Sequence, residues 1–254
     1  MKSPAEEIER NNSWYIGDQL EAAQIYRLTI QRRCQFIAAA VEQEKLRKLE
    51  GGPIRVLDTG CGDGVFIDLL HSHSRVDLWA LDYNLLRLKR AKSRFPEVRF
   101  SLQDLKQPSL REGKFDIIVM SQVIEHIPED EKVLKILFDL LLDGGCLILG
   151  TPNEGCFLAR LRNHFLEPYI RRTTDHIHFY TEKEVRKKIE RTGLIIQGVM
   201  REGFFFPLSR VNYLFGSHPF LFKLMDNLGK LFPSQVAGFY FLCRKISQPR
   251  DSVP

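Results

Sequence analysis

The chain has 254 residues, 44% of them apolar and 27% charged, enough for a domain with a real core and unlike a collagen-like, low-complexity or disordered chain. No run approaches the roughly 18 apolar residues that a spanning helix needs, and the polar start lacks a secretory pattern. A net charge of +5 permits an acidic partner without requiring one, and five cysteines without zinc-finger or CxxC spacing favour a reducing, cytoplasmic setting over a disulfide framework.

Residues 21–48 are mostly good helix formers and predict one or two helices, within an N-terminal helical segment spanning 1–50. From 54 to 152 short β-rich runs alternate with helical periods. Strands are predicted at 55–58, 78–82, 98–102, 115–123 and 146–149, and helices at 65–70, 85–95 and 129–142. The last helix places Leu134, Leu137, Phe138 and Leu141 on one face, and a Gly144-Gly145 turn precedes the next strand. Strands separated by helices require right-handed crossovers, so the fold class is α/β, a doubly wound and mostly parallel sheet with helices on both faces.

After residue 152 the alternation stops. A stretch rich in Arg and His runs from 153 to 180 without clear period. A helix over 181–192 opens on a capping-box pattern, Thr181 with Glu184, and stops at Gly193. Runs at 194–200 and 239–243 predict two more strands, paired at the sheet edge, with an aromatic-rich insertion at 203–234 between them. The core is therefore expected over 51–202 and 235–254, with 153–180 and 203–234 as lid or acceptor insertions of the same domain.

The sharpest motif is Val56-Leu57-Asp58-Thr59-Gly60-Cys61-Gly62-Asp63-Gly64, a strand running into a glycine turn that opens a helix. Glycines let the backbone bend tightly and let a ligand approach the main chain. The spacing is GxGxG, where a dinucleotide fold more usually shows GxGxxG. Asp58 stands where a carboxylate repels a pyrophosphate but suits an ammonium group. Asp82 ends the next strand, close to where an acid meets ribose hydroxyls. A ligand with an amino-acid end and a ribose satisfies all three features, and S-adenosylmethionine is such a ligand.

These residues, with Leu81-Asp82-Tyr83, Gln103-Asp104-Leu105 and Phe115-Asp116-Ile117-Ile118-Val119, resemble the successive motifs of class I S-adenosylmethionine-dependent methyltransferases, over residues 33 to 194 or so. Within that class the chain resembles the ubiquinone-pathway O-methyltransferase group. The resemblance implies a Rossmann-like seven-stranded sheet with one antiparallel strand at its edge, and S-adenosylmethionine as cofactor. It implies that Asp58, Gly60 and Gly62 hold the methionine part, Asp82 the ribose, and that Tyr83 flanks the adenine. Asp104 would accept from the adenine amino group beside the Leu105 backbone, and Ser121 would line the methionine side. Arg33 stands where related O-methyltransferases place an arginine for the cofactor carboxylate, with Arg32 adjacent.

On the acceptor side, Ser121-Gln122-Val123-Ile124-Glu125-His126 follows the fourth strand, and Asp175-His176-Ile177-His178 precedes the late helix. His126 and His176 are the candidate catalytic residues; the alternative for His126 is to position loops around the cofactor. Only one of His176 and His178 is expected to face the pocket, since i and i+2 point oppositely in an extended segment. E-x-x-E-H followed by D-H-x-x-x-x-T resembles the metal site of small-RNA 2′-O-methyltransferases, matched here by Gln122, Glu125, His126 and His176. An amide at Gln122 is a poor ligand for a hard cation, so no required metal is expected.

A small-molecule acceptor, lipophilic or anionic, is the expected partner, with oxygen the preferred acceptor atom and nitrogen or carbon open. RNA 2′-O-methylation is the alternative, resting on the arginines of 156–174, and a non-catalytic cofactor-binding partner protein is a third reading. Nucleic acid is not favoured, because such charges more often face water. The segment 204–232 offers a peripheral membrane contact, against which stands an amphipathic cap burying one stripe, Phe220, Leu221, Leu224, Met225, Leu228 and Leu231, on the sheet.

Overall fold

The computed structural model describes residues 26–48, 51–71, 73–107 and 114–246. Helix α1 (Arg27–Arg47) leads to β1 (Ile54–Thr59), α2 (Val65–Leu70), β2 (Val76–Asp82), α3 (Leu85–Arg94) and β3 (Arg99–Leu102). Then come β4 (Phe115–Ser121), α4 (Asp130–Leu140) and β5 (Leu141–Pro152). The remainder is α5 (Phe157–Leu161), α6 (Pro168–Thr173), α7 (Glu182–Arg191), β6 (Leu194–Arg201), α8 (Ser209–Ser217), α9 (Pro219–Leu231) and β7 (Gly238–Lys245). The expected N-terminal segment before residue 26 and the expected core after 246 lie outside the described residues.

The strands form one sheet of seven in the order β3-β2-β1-β4-β5-β7-β6. Strands β1 to β5 pair in parallel, and β7 runs antiparallel between β5 and the outermost β6. The chain winds outward in both directions from β1 and β4, so a crevice opens between the carboxyl ends of these two strands. Alternate residues of each strand enter opposite cores. Val56, Val119, Ile148 and Tyr240 meet Ile37 and Val41 of α1 and Ile67 of α2. Leu57, Ile118, Leu149 and Phe241 meet Leu134 and Leu137 of α4 and Ile189 of α7. Strands buried on both faces read as continuous apolar runs, which is why they stood out in the sequence.

The departures from the expected boundaries have local causes. β4 stops at Ser121, two residues early, because Gln122 adopts left-handed backbone (φ 56°) and Ile124–His126 winds into a 3₁₀ turn. β5 begins at Leu141, five residues early. Gly144 (φ 78°) sits within the strand, where the register against β4 shifts between Phe115 and Ile117, and so marks a bulge where a turn was predicted. The stretch without periodicity is two short helices, α5 and α6, joined by a π-helical turn over Arg162–Leu166. The capping box of α7 is present: Glu184 N–H donates to Thr181 Oγ1, and Thr181 N–H to Glu184 Oε2 at 2.8 Å.

One cross-strand pair fixes the β5–β7 packing. Gly150 faces Tyr240, and a Cβ at 150 would lie 2.3 Å from the ring. Gly150→Ala is expected to destabilise the fold by about 2 kcal/mol through overpacking, lowering Tm by roughly 6 °C. Gly198→Ala, where a Cβ meets nothing within 4 Å, is the control. Thermal melts in which the two variants behave alike would contradict this packing.

Candidate active site

The turn from β1 to α2 contains three left-handed glycines, Gly60 (φ 74°), Gly62 (φ 52°) and Gly64 (φ 94°). At Gly60 the requirement is also steric: a Cβ would stand 2.4 Å from Val123 Cγ2, on the segment leaving β4. The loop therefore lies against the far wall of the crevice, and the Gly60 and Cys61 N–H groups are tied to the Leu81 carbonyl at 2.8 and 3.0 Å.

Asp82 is nearly fully buried and fixes this loop. Its Oδ2 accepts from Gly62 N–H and its Oδ1 from Asn84 N–H, both at 2.7 Å. Asn84 in turn caps α3, its side chain accepting from Arg87 N–H at 3.1 Å. Burial pushes the Asp82 carboxyl up, and the two N–H groups offset only part of this, so it stays raised. The residue expected to meet the ribose thus also holds the glycine turn in place.

Asp58 is different. It is buried, and its Oδ2 has no hydrogen-bond partner among the described residues. Burial, and then the nearby charge of Asp82, push its pKa up to about 7. Asp63, also buried, is neutralised by Arg90 at 2.5 Å and Arg87 at 3.7 Å. A glycine cradle with an unpaired carboxylate beneath it fits a ligand whose ammonium group lies there and whose main body needs the close approach that Gly60 allows.

Tyr83 and Asp104 lie at the carboxyl ends of β2 and β3, with exposed side chains. Gln103 N–H reaches the Asp82 carbonyl at 3.0 Å, which keeps the two ends together. The Asp104 carboxylate accepts from Lys106 N–H at 2.9 Å, and Leu105 beside it is buried. Arg33 is brought toward Ser121 through Tyr240: its guanidinium lies 5.4 Å from that ring, whose hydroxyl meets Ser121 Oγ at 2.5 Å. The guanidinium is held by both oxygens of Glu202, at 2.5 and 3.0 Å. Burial pulls its pKa down and Glu202 more than offsets this, so Arg33 is firmly charged. The sequence reading missed Glu202 and Tyr240. Glu202 lies 169 positions from Arg33, so no local signal connects them.

On the acceptor side the structure brings His126 and His176 together, their rings edge to face with centroids 4.7 Å apart. Each is backed by a carboxylate. Asp175 Oδ2 is 3.3 Å from His126 Nδ1, and Glu154 Oε2 is 2.5 Å from His176 Nδ1. Glu154 also pairs with Arg162 at 3.1 Å. Burial lowers the His176 pKa, but Glu154 outweighs it, so the group is raised. Glu125 is fully buried. Its Oε2 accepts from the Thr151 hydroxyl at 3.0 Å, and its Oε1, without a hydrogen-bond partner, lies 4.0 Å from His126 Nε2. Burial pushes the Glu125 carboxyl up.

The Glu125 carbonyl accepts from the Ile177 and His178 N–H groups, which joins the exit of β4 to the His-rich segment. His178 turns instead to the Ile127 carbonyl and stacks on Tyr180, so a single imidazole of that pair reaches His126. One ligand atom each of Glu125, His126 and His176 lie within 4.8 Å of one another. The Gln122 Nε2 is buried without a hydrogen-bond partner among the described residues. Sequence reasoning missed Glu154, Thr151 and the pairing of Asp175 with His126; the adjacency of Asp175 to His176 was the one available signal.

The raised Asp58 sets a proton count. A carboxyl protonated below about pH 7 contributes stability at acid pH that is lost as pH rises through that value. An ammonium group beside it favours the ionised form, so ligand binding expels the proton. Affinity for S-adenosylhomocysteine is expected to rise by up to about tenfold per pH unit below 7 and to level off above. Calorimetry of Asp58→Asn should show weak binding with that pH dependence gone. A flat profile in the unaltered protein would contradict the assignment.

A family model described as a methyltransferase domain matches residues 26–197. A probable S-adenosylmethionine-dependent methyltransferase of Mycolicibacterium smegmatis is 31% identical over 145 residues, covering 57% of this chain and 53% of that one. The chain thus spans about half the length of that relative. A ubiquinone biosynthesis O-methyltransferase of Psychrobacter arcticus is 24% identical over 181 residues, 66% of this chain and 68% of that one. Among solved structures, Haemonchus contortus phosphoethanolamine N-methyltransferase 2, in complex with S-adenosyl-L-methionine, shares the fold at TM-score 0.55 and 14% identity, over 81% of this chain and 53% of that one. The switch-point crevice, the glycine turn over an unpaired Asp58 and the family match agree: the chain belongs to the methyltransferase-domain family, of the class I S-adenosylmethionine-dependent type.

Proposed function

We propose that the chain methylates a hydroxyl oxygen of a small-molecule acceptor, with S-adenosylmethionine as methyl donor. The observation that carries the choice of oxygen is the pair of carboxylate-backed imidazoles beside the crevice. The cofactor supplies an already activated methyl group, so the protein's work is alignment, together with removal of a proton when the acceptor is a hydroxyl.

The chain's own residues divide that work. Asp58 and the glycine turn orient the amino-acid end, and Asp82 the ribose. The Asp175 carboxylate, 3.3 Å from His126 Nδ1, favours the tautomer protonated there, which leaves the Nε2 lone pair to accept the acceptor's hydroxyl proton. The buried Glu125 Oε1, 4.0 Å away, stabilises the imidazolium that forms. His176, whose Nδ1 is 2.5 Å from Glu154 Oε2, lies beside His126 and positions the acceptor by a hydrogen bond. The relative named a ubiquinone biosynthesis O-methyltransferase supports oxygen as the acceptor atom.

With labelled cofactor and a panel of phenols and catechols, His126→Gln is expected to lower kcat by about 10²- to 10⁴-fold while affinity for S-adenosylhomocysteine is unchanged. Asp175→Asn should lower kcat less and shift its pH profile. Full turnover by His126→Gln would remove His126 as the base.

A second reading rests on the cluster of Glu125, His126 and His176, a donor set that also suits a divalent cation and, with it, methylation of an RNA 2′-hydroxyl. The first reading expects turnover insensitive to EDTA and to added RNA. Loss of activity on chelation, restored by a divalent cation and stimulated by RNA, favours the second.

A further inference from the structure

The aromatic insertion is apolar on two sides. On α9, Met225 and Gly229 are buried and Leu221, Phe222 and Leu228 half-buried, the inner face of a cap. The single buried stripe expected from the sequence is divided, however. Phe220 (74% exposed), Leu224 (42%) and Leu231 (72%) stand on the outer face in steps of four and seven, with Asn227 between the last two. On α8 the outer face shows Arg210, Tyr213 and Leu214, again in helical steps. A contiguous apolar stripe on the solvent side of a helix marks a contact surface.

The Arg-rich insertion packs against this one and exposes aromatic residues of its own. Phe157, Phe165 and Tyr169 are exposed, Phe165 by 78%. Glu167 Oε2 accepts from Ser209 N–H at 3.1 Å and from its hydroxyl at 2.5 Å, and Arg162 lies 4.9 Å from the Phe205 ring. The two insertions are thus locked into one cap.

Its charge has one sign. Residues 156–174 and 203–234 contain seven Lys and Arg against two acids, a net +5 equal to that of the whole chain. Both acids are engaged, Asp226 by Arg32 and Glu167 by Ser209. Arg160, Arg171, Arg172, Arg210, Lys223 and Lys230 are exposed, and Lys223 and Lys230 flank the outer stripe of α9. No helix among the described residues is long and apolar enough to cross a membrane.

We propose that this face docks peripherally on the surface of an anionic lipid bilayer. Phe220, Leu224 and Leu231 enter the acyl boundary, and the lysines and arginines reach the anionic headgroups. A second copy of the chain fits less well, because it would set two faces of net +5 against each other. The surface stands whichever acceptor the crevice takes.

Cosedimentation with phosphatidylcholine–phosphatidylglycerol vesicles is expected to capture the full chain, and vesicles of phosphatidylcholine alone to capture much less. Lys223→Gln with Lys230→Gln should lower the partition coefficient by about thirtyfold. Phe220→Ser with Leu231→Ser should also release the protein, with S-adenosylhomocysteine affinity and Tm retained in both variants. The proposal is overturned by absence of binding to the anionic vesicles, or by binding that neither variant weakens. It is equally overturned if the protein is a dimer in gel filtration that the serine variant dissociates, since the face then belongs to a second copy.

Discussion

The crevice depends on one carboxylate. Asp82 receives the N–H of Gly62 from one side and that of Asn84 from the other, so a single buried group sets both the glycine turn and the start of α3. Two charge-assisted bonds to backbone N–H groups partly compensate an acid that burial drives toward its neutral form. Burial likewise raises the pKa of Asp58 nearby, and the charge of Asp82 adds to that. The charge that fixes the loop therefore also contributes to the readiness of Asp58 for a cation.

The same logic of buried charge runs along the carboxyl edge of the sheet. Where an acid has a cation, as in Arg33 with Glu202 or Asp63 with Arg90, it is structural. Where a buried oxygen lacks a hydrogen-bond partner among the described residues, as at Asp58 Oδ2 and Glu125 Oε1, the fold itself does not offset the cost of its desolvation. These two atoms belong to the donor half and the acceptor half of the proposed reaction. The fold supplies the distance between them by ending β1 and β4 side by side.

The cap over the sheet end shows what composition can hide. Its aromatic and basic residues were plain in the sequence, and the spacing from Phe220 to Leu231 was correctly helical. One helical period, however, is compatible with either face being buried. Met225 turned inward and Phe220 outward because Phe204 N–H binds the Met225 carbonyl and because a Cβ at Gly229 would press on the Gly203–Phe204 backbone. Those contacts come from outside the helix, so its own pattern cannot announce them.

By itself the sequence determined the alternation of strands and helices, the glycine turn after β1 and the acids at the ends of β1 and β2. These are local facts, written in periodicities of two and 3.6 and in the backbone freedom that only glycine supplies. The pairing of Arg33 with Glu202, of His126 with Asp175 and of His176 with Glu154, the bulge at Gly144, and the outward face of α9 were decided by tertiary structure. Each joins segments that are distant in the chain or fixes a choice between two faces of equal pattern. Complementary charge and steric fit make that selection only after the sheet has brought the partners together.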